Sequence, residues 1–207
     1  MNRIFTLGHS NGTQEELLSL LRLADINCVI DVRSVPASAY TPQFNKDPLS
    51  RFLKKNGVVY MHFGEEFGAR RHDAYVNGQV NFEKAVQTPA FQRGVDRIRH
   101  GIEKGYRIAF MCSEANPLSC HRFAMVSRYF HDNGFDIQHI LHSKEIVSHE
   151  QLEQQMIESY LHKKNSKLKE VDNMFGTYNA EQQREDAYRI KNEEIGYRPE
   201  NNYENEI

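Results

Sequence analysis

Short apolar runs alternate with longer amphipathic stretches along most of this chain, and no other feature constrains its fold as strongly. Arg3–Leu7 is a short β-prone run. Thr13 then opens a helix, with Glu16 three residues on as its capping-box partner and Leu17, Leu18, Leu20, Leu21 and Ala24 as its apolar face. Cys28–Val32 (CVIDV) is a continuous run rich in β-branched residues, the pattern of a strand covered on both faces. Asp47–Asn56 reads as a helix stopped by Gly57, and Val58–Met61 as a third strand. Thr88 and Pro89 open a helix to Lys104, with Gly105 just past its end. Tyr106–Met111 is the fourth strand. The helix after Pro117 runs to about Asn133 and is stopped by Gly134. Asp136–Leu141 is a fifth strand, and Ser148 with Gln151 opens a helix that ends near His162. This order predicts an α/β fold: a single open, mostly parallel sheet of about five strands with helices on both faces.

The α/β pattern fills residues 1–164. Beyond them the composition shifts to Lys, Asn, Glu and Gln, so 165–207 reads as an acidic, polar C-terminal extension, partly helical or flexible. Within it, Glu181–Glu194 has the look of a polar helix ending before Gly196. The extension holds 6 Lys and Arg against 10 Asp and Glu, a net of −4; the whole chain's −2 leaves +2 for 1–164, which also carries all ten histidines. A balance of +2 does not mark a nucleic-acid binder by charge alone. Hydrophobic residues at 39% and charged ones at 26% fit a soluble globular protein. MNRIFTLGHS lacks the apolar core of a secretory signal, and no run reaches the roughly 18 apolar residues of a membrane span. Three cysteines, Cys28, Cys112 and Cys120, point to a reduced compartment, by default the cytoplasm.

Right-handed crossovers put every strand-to-helix turn at one end of a parallel sheet, where open α/β sheets bind their ligands. The turns after the first four strands carry GHSN (8–11), RSVPASAYTPQFNK (33–46), HFGEEFGARR (62–71) and, with the last residue of its strand, MCSEANPLSCHR (111–122). These are the richest runs of His, Arg, Glu, Cys, Tyr and Gly in the chain, so a site is expected at that edge. In this order and spacing, TLGHSN, DVRSVPASAYTPQFNK, FGEEFGARR and MCSEANPLSCHR resemble the conserved blocks of the domain-of-unknown-function 488 family, over roughly residues 3–145. The resemblance implies a compact α/β domain and no particular activity. A fainter similarity of VIDVRS to rhodanese-type domains does not extend beyond those residues.

Cys112, at the end of the fourth strand and facing the start of a helix, is the candidate nucleophile, since a helix N-terminus and Arg122 both favour thiolate. Free cysteine otherwise behaves as a small buried hydrophobe. A phosphatase-type Cys-x5-Arg cradle is absent, because Leu118 holds the position the arginine would need. Glu114 and His9 are the candidate proton-transfer groups, and Asp31 is the fourth catalytic candidate, a buried acid that must pair with a basic group such as Arg33, Arg122 or His9 and could hold it in place. Ser10, Asn11, Arg33, Tyr40, Phe44, Lys46, Arg70, Arg71, His121 and Arg122 are the candidate substrate ligands: cations for negative charge, rings for stacking on a base. Zinc on Cys112, Cys120 and His121 is a weaker alternative. If Cys120 and His121 are neighbours on a helix they point about 100° apart and cannot face one ion.

The leading expectation is an enzyme acting on an anionic substrate, a nucleotide or nucleic-acid end, at the sheet edge around Cys112. The chemistry would be that of a cysteine-dependent enzyme, or of a hydrolase or transferase on a phosphate-bearing molecule. The alternatives are a module that binds a nucleotide or single-stranded nucleic acid without catalysis, and an adaptor that docks a protein partner through 165–207.

Overall fold

The computed structural model describes residues 2–162, 168 and 178–199. Strands β1 (Arg3–Gly8), β2 (Cys28–Asp31) and β3 (Val59–His62) alternate with helices α1 (Gln14–Leu23) and α2 (Lys46–Lys55). A short helix α3 (Gly64–Phe67), a small hairpin of β4 (Tyr75–Val76) and β5 (Gln79–Val80), and a turn of helix α4 (Phe82–Ala85) lead to the long helix α5 (Pro89–Glu103). Strand β6 (Ile108–Cys112), helix α6 (Arg128–Asp132), strands β7 (Asp136–Ile140) and β8 (Ile146–Ser148), and helices α7 (His149–Leu161) and α8 (Ala180–Ile195) complete it. The capping boxes expected at Thr13 and Ser148 are formed. Among the described residues no helix is long and apolar enough to cross a membrane.

The main sheet has six strands in the order β3-β2-β6-β1-β7-β8. All neighbours are parallel except β8, which pairs antiparallel with β7 at one edge. Only three residues long, β8 gives too short a pattern to read from sequence. The strands β1, β2 and β6 are buried along nearly their whole length because both faces are covered. Leu17, Leu18, Leu20 and Leu21 of α1 and Leu49 and Leu53 of α2 fill one core; α5, α6, α7 and α8 cover the other face.

This arrangement sets the position of the site. The chain leaves β1 towards α1 on one face, and leaves β6 towards α6 on the opposite face. The adjacent carboxyl ends of β1 and β6 are therefore a topological switch point, where connections diverge and a crevice opens. Gly8 is required there. A Cβ on it would lie 1.8 Å from the carbonyl oxygen of Glu114, so only glycine lets the two turns touch.

One expected element is different. No regular helix starts at Pro117. Pro117–Ser119 makes a single 3₁₀ turn, Cys120 is extended (φ −135°, ψ 140°), and a π-helical stretch Arg122–Ser127 precedes α6. Asn116 caps Leu118 as a helix N-cap would, which is why the sequence reads as a helix start.

The described part of the extension packs on the domain. Ala187 and Tyr188 of α8 are buried, and Arg184 and Glu185 pair with Glu153 and Arg128. A buried polar chain ties α8 to the sheet: Thr6 Oγ1 to His139 Nδ1 (2.7 Å), His139 Nε2 to His149 Nδ1 (3.2 Å), His149 Nε2 to Tyr188 Oη (2.9 Å), and Tyr188 donating to Glu153 (2.7 Å). Because Tyr188 spends its proton on Glu153, His149 donates to Tyr188, His139 to His149, and Thr6 to His139. Every link is satisfied in one direction.

Candidate functional site

Three strand ends build the site. At the end of β2, Asp31 is fully buried and accepts from the backbone N–H (3.1 Å), Nε (2.9 Å) and Nη2 (2.6 Å) of Arg33, and from the Tyr60 hydroxyl (2.6 Å). Arg33 also donates to the Phe44 carbonyl (2.8 Å) and to Nε2 of His9 (3.0 Å). Burial opposes the charge on Arg33, but its bonds and attraction to Asp31 outweigh this and raise its pKa further. Of the five guanidinium N–H groups, one on Nη1 is left without a partner in these bonds.

His9 is held between these groups. Its Nδ1 bonds the Ser10 carbonyl (2.6 Å), its Nε2 accepts from Arg33, and its ring stacks on Phe44 with centroids 4.2 Å apart. Burial, then the Arg33 charge, pushes its pKa down to about 4. With both nitrogens committed, His9 positions Arg33 and has no lone pair to offer a substrate. Phe44 likewise spends a ring face on His9 and is wholly buried.

At the end of β6, Cys112 Sγ donates to Glu114 Oε2 (3.1 Å) and lies 3.9 Å from His121 Nδ1. Cys120 Sγ lies 3.8 Å from the same nitrogen and accepts the Arg122 backbone N–H (3.4 Å). His121 Nε2 donates to the Val32 carbonyl (3.0 Å), so in the neutral ring Nδ1 carries the lone pair and faces both sulfurs. The donor atoms of Cys112, Cys120 and His121 all lie within 4.8 Å of one another. The objection to a shared site for Cys120 and His121 thus falls, because Cys120 precedes the helical segment and its extended backbone turns the sulfur back towards Cys112.

The thiols differ. The neighbouring Cys120 sulfur, then burial, raises Cys112 well above an ordinary thiol. Burial also acts to raise Cys120, but the neighbouring Cys112 and the Arg122 and His121 charges prevail, and it falls well below. Burial acts to lower His121, yet the neighbouring Cys120 raises it; Glu114 is raised by burial first and the Cys120 charge next. Cys28 lies at the other end of β2, where burial pushes it up to about 11.

The sulfurs open into a pocket of about 240 Å³ whose walls include Arg33, Arg70, Glu114, His121 and, from the extension, Tyr197. Arg70 is exposed, with its guanidinium carbon 5.0 Å from the Tyr197 ring centre. The other expected ligands lie elsewhere. Arg122 is buried and bonds the Glu114 (2.5 Å) and Ala115 (3.0 Å) carbonyls, bracing the cysteine loop rather than reaching the pocket. Arg71 is buried and divided between Asp73, Thr88 and the Glu65 and Glu66 carbonyls. Ser10 and Asn11 line a separate hollow with Glu16, His142 and Lys144. Tyr40, on the loop after β2, and Lys46, the first residue of α2, are exposed and lie outside the pocket wall. The weaker alternative in the sequence, a group of Cys112, Cys120 and His121, is thus the one whose donor atoms come together, and the Tyr197 wall is the addition that the sequence does not show.

Fold and site together define a doubly wound α/β domain with a Cys–Cys–His cluster at its switch point. The chain belongs to the family described as Domain of unknown function DUF488, whose model matches residues 13–129. The match covers α1 to the first turn of α6, and with it both cysteines of the cluster. No curated protein and no solved structure matches the chain.

Proposed function

We propose that this protein is an enzyme acting on an anionic, phosphate-bearing small molecule, a nucleotide or the end of a nucleic acid, at the pocket around Cys112. One observation carries the reading: the sulfurs of Cys112 and Cys120, the Glu114 carboxyl and His121 share a single pocket with the cations Arg33 and Arg70. Arg33 presents its remaining N–H from a rigid, fully paired base, so binding an anion costs little side-chain ordering. Arg70 supplies charge at the mouth. Glu114 is the proton-transfer group, and the sulfur–histidine cluster is the reactive centre. The reaction class is hydrolysis or group transfer.

The test is calorimetric titration of the full chain with phosphate, pyrophosphate and a panel of nucleoside mono-, di- and triphosphates. A phosphate-bearing compound is expected to bind, and Arg70→Ala to weaken it about tenfold, one charge-assisted hydrogen bond's worth. Binding unchanged by Arg70→Ala, or no binding across the panel, would overturn the reading.

A second reading, a nucleic-acid-binding module without catalysis, draws on Tyr40, which is 97% exposed on the loop that leads to the exposed cation Lys46. Stacking on that ring would contribute about 1–3 kcal/mol per base. Phe44, the other ring of the loop, is buried on His9, so the platform is one ring deep. Loss of oligonucleotide affinity in Tyr40→Ala with retention in Cys112→Ser would favour this reading.

A further inference from the structure

We infer that the Cys112–Cys120–His121 cluster is a zinc site whose open coordination position faces the pocket. The inference deepens the reading above, since it names what lies at the reactive centre of that pocket. Three independent features carry it.

The first is spacing. A tetrahedral zinc ion with Zn–S near 2.3 Å and Zn–N near 2.05 Å sets its sulfur and nitrogen ligands ~3.6 Å apart and two sulfurs ~3.8 Å apart. The His121 Nδ1 lies 3.9 Å from one sulfur and 3.8 Å from the other, and all three donor atoms fall within 4.8 Å. The nitrogen–sulfur distances thus exceed the tetrahedral values by only about 0.3 Å, and an ion drawn into the centre needs the two sulfurs to approach each other by at most about 1 Å.

The second is orientation. Ligating histidines hand their other ring N–H to a carbonyl or carboxylate, which fixes the tautomer and turns the free lone pair to the metal. His121 does this with the Val32 carbonyl, and among the described residues the hydrogen-bond partners of its Nδ1 are the two sulfurs. A histidine kept merely for packing has no need to place its lone pair between two thiols. Cys120 adds a backbone N–H···S bond from Arg122, the support a metal thiolate uses.

The third is charge and access. Two thiolates and a neutral imidazole around Zn²⁺ sum to zero, so a buried cluster carries no net charge once loaded. Binding releases two protons to solvent, one from the Cys112 thiol and one held between Cys120 and His121, and the metal replaces them. All three ligand residues line the pocket, as does Glu114, whose Oε2 is 3.1 Å from the Cys112 sulfur. Three protein ligands with a fourth position for water, carboxylate or substrate oxygen is the pattern of a catalytic rather than a structural zinc. Thiolate donors with one imidazole select zinc over magnesium or calcium, which prefer oxygen.

The experiment uses the full chain, reduced and stripped with a chelator, then titrated with Zn²⁺ and, separately, with Co²⁺ as a spectroscopic stand-in. One equivalent of Co²⁺ is expected, with a sulfur-to-cobalt charge-transfer band in the near ultraviolet and intense tetrahedral bands in the visible. Cys112→Ser and Cys120→Ser should each weaken or shift the charge-transfer band, and Cys28→Ser should leave it alone. A variant-free measurement stands beside this, in case a substitution unfolds the chain: one equivalent of Zn²⁺ should protect Cys112 and Cys120 from alkylation, read by peptide mass spectrometry. No stoichiometric binding, a charge-transfer band unchanged by Cys120→Ser, or alkylation unchanged by zinc would overturn the inference. Arg70→Ala separates the two readings, because it is expected to lose phosphate affinity while binding metal normally.

Discussion

Acid should unfold this protein through its buried histidines, and His139 allows the effect to be worked out. Its ring is 1% exposed and carries neither charge nor free nitrogen, since it accepts from Thr6 and donates to His149. Burial above all, then the Arg122 charge, takes its pKa down to about 3 from an ordinary 6.5. The unfolded chain protonates this histidine as pH falls below about 6.5, while the folded chain resists until about 3. The unfolded state therefore binds more protons across that window. The stability contributed by a neutral His139 is complete above the unfolded value and lost as pH falls towards the folded one. Between pH 7 and pH 4 the linkage integral amounts to about 3 kcal/mol for this single group, a large share of a typical domain's stability. The assay is urea unfolding of the full chain and of His139→Gln at pH 7, 5.5 and 4; the amide can still accept from Thr6 and donate to His149. Wild type should lose about 3 kcal/mol more than the variant over that range. Parallel profiles for the two proteins would refute the reasoning.

Three further outcomes follow from the same structure. Asp31→Ala leaves the Arg33 guanidinium buried without its partner and should cost about 3–5 kcal/mol in denaturant unfolding; a cost below about 1 kcal/mol would mean that water or another group already solvates Arg33. Gly8→Ala drives a methyl group into the Glu114 carbonyl, so the loop holding Cys112 must move, and a loss of about 1–3 kcal/mol with altered Cys112 alkylation is expected. Native stability with unchanged thiol reactivity would contradict that close approach. Cys28, raised to about 11 by burial, should alkylate more slowly than Cys120 in the native protein at pH 8 and as an ordinary thiol in urea. Fast native labelling at Cys28 would count against the buried start of β2.

What the sequence revealed and what it hid divide along a physical line. The five parallel strands, the capping boxes at Thr13 and Ser148 and the crowding of chemistry at one sheet edge are set by local periodicity and local hydrogen bonds, and were legible. Polar helix 181–194 was also legible, and α8 spans Ala180–Ile195. Cys120 was not. Asn116-Pro117 carries the local signal of a helix start, while the extended turn at Cys120 depends on Arg122 bracing two carbonyls from across the loop. That contact leaves no mark in the spacing. Phe44 and Tyr40 look alike in a loop sequence, yet one ring is buried on His9 and the other stands in solvent. The choice was made by the tertiary pocket beside His9. The Tyr197 wall, brought from more than 75 residues along the chain, has no local signature at all.

The central claim is that the paired sulfurs sit in a pocket made cationic by Arg33 and Arg70. It is tested most directly by the reagent preference of Cys112 and Cys120 in metal-free, reduced protein. The rates of alkylation by anionic iodoacetate and neutral iodoacetamide are measured per cysteine by mass spectrometry and compared with free cysteine in the same buffer. Iodoacetate should be favoured at these two positions relative to free cysteine, and the preference should fade with added salt and in Arg70→Ala. A ratio equal to or below that of free cysteine would show that Glu114 outweighs the two arginines, and the anion-binding account would be wrong.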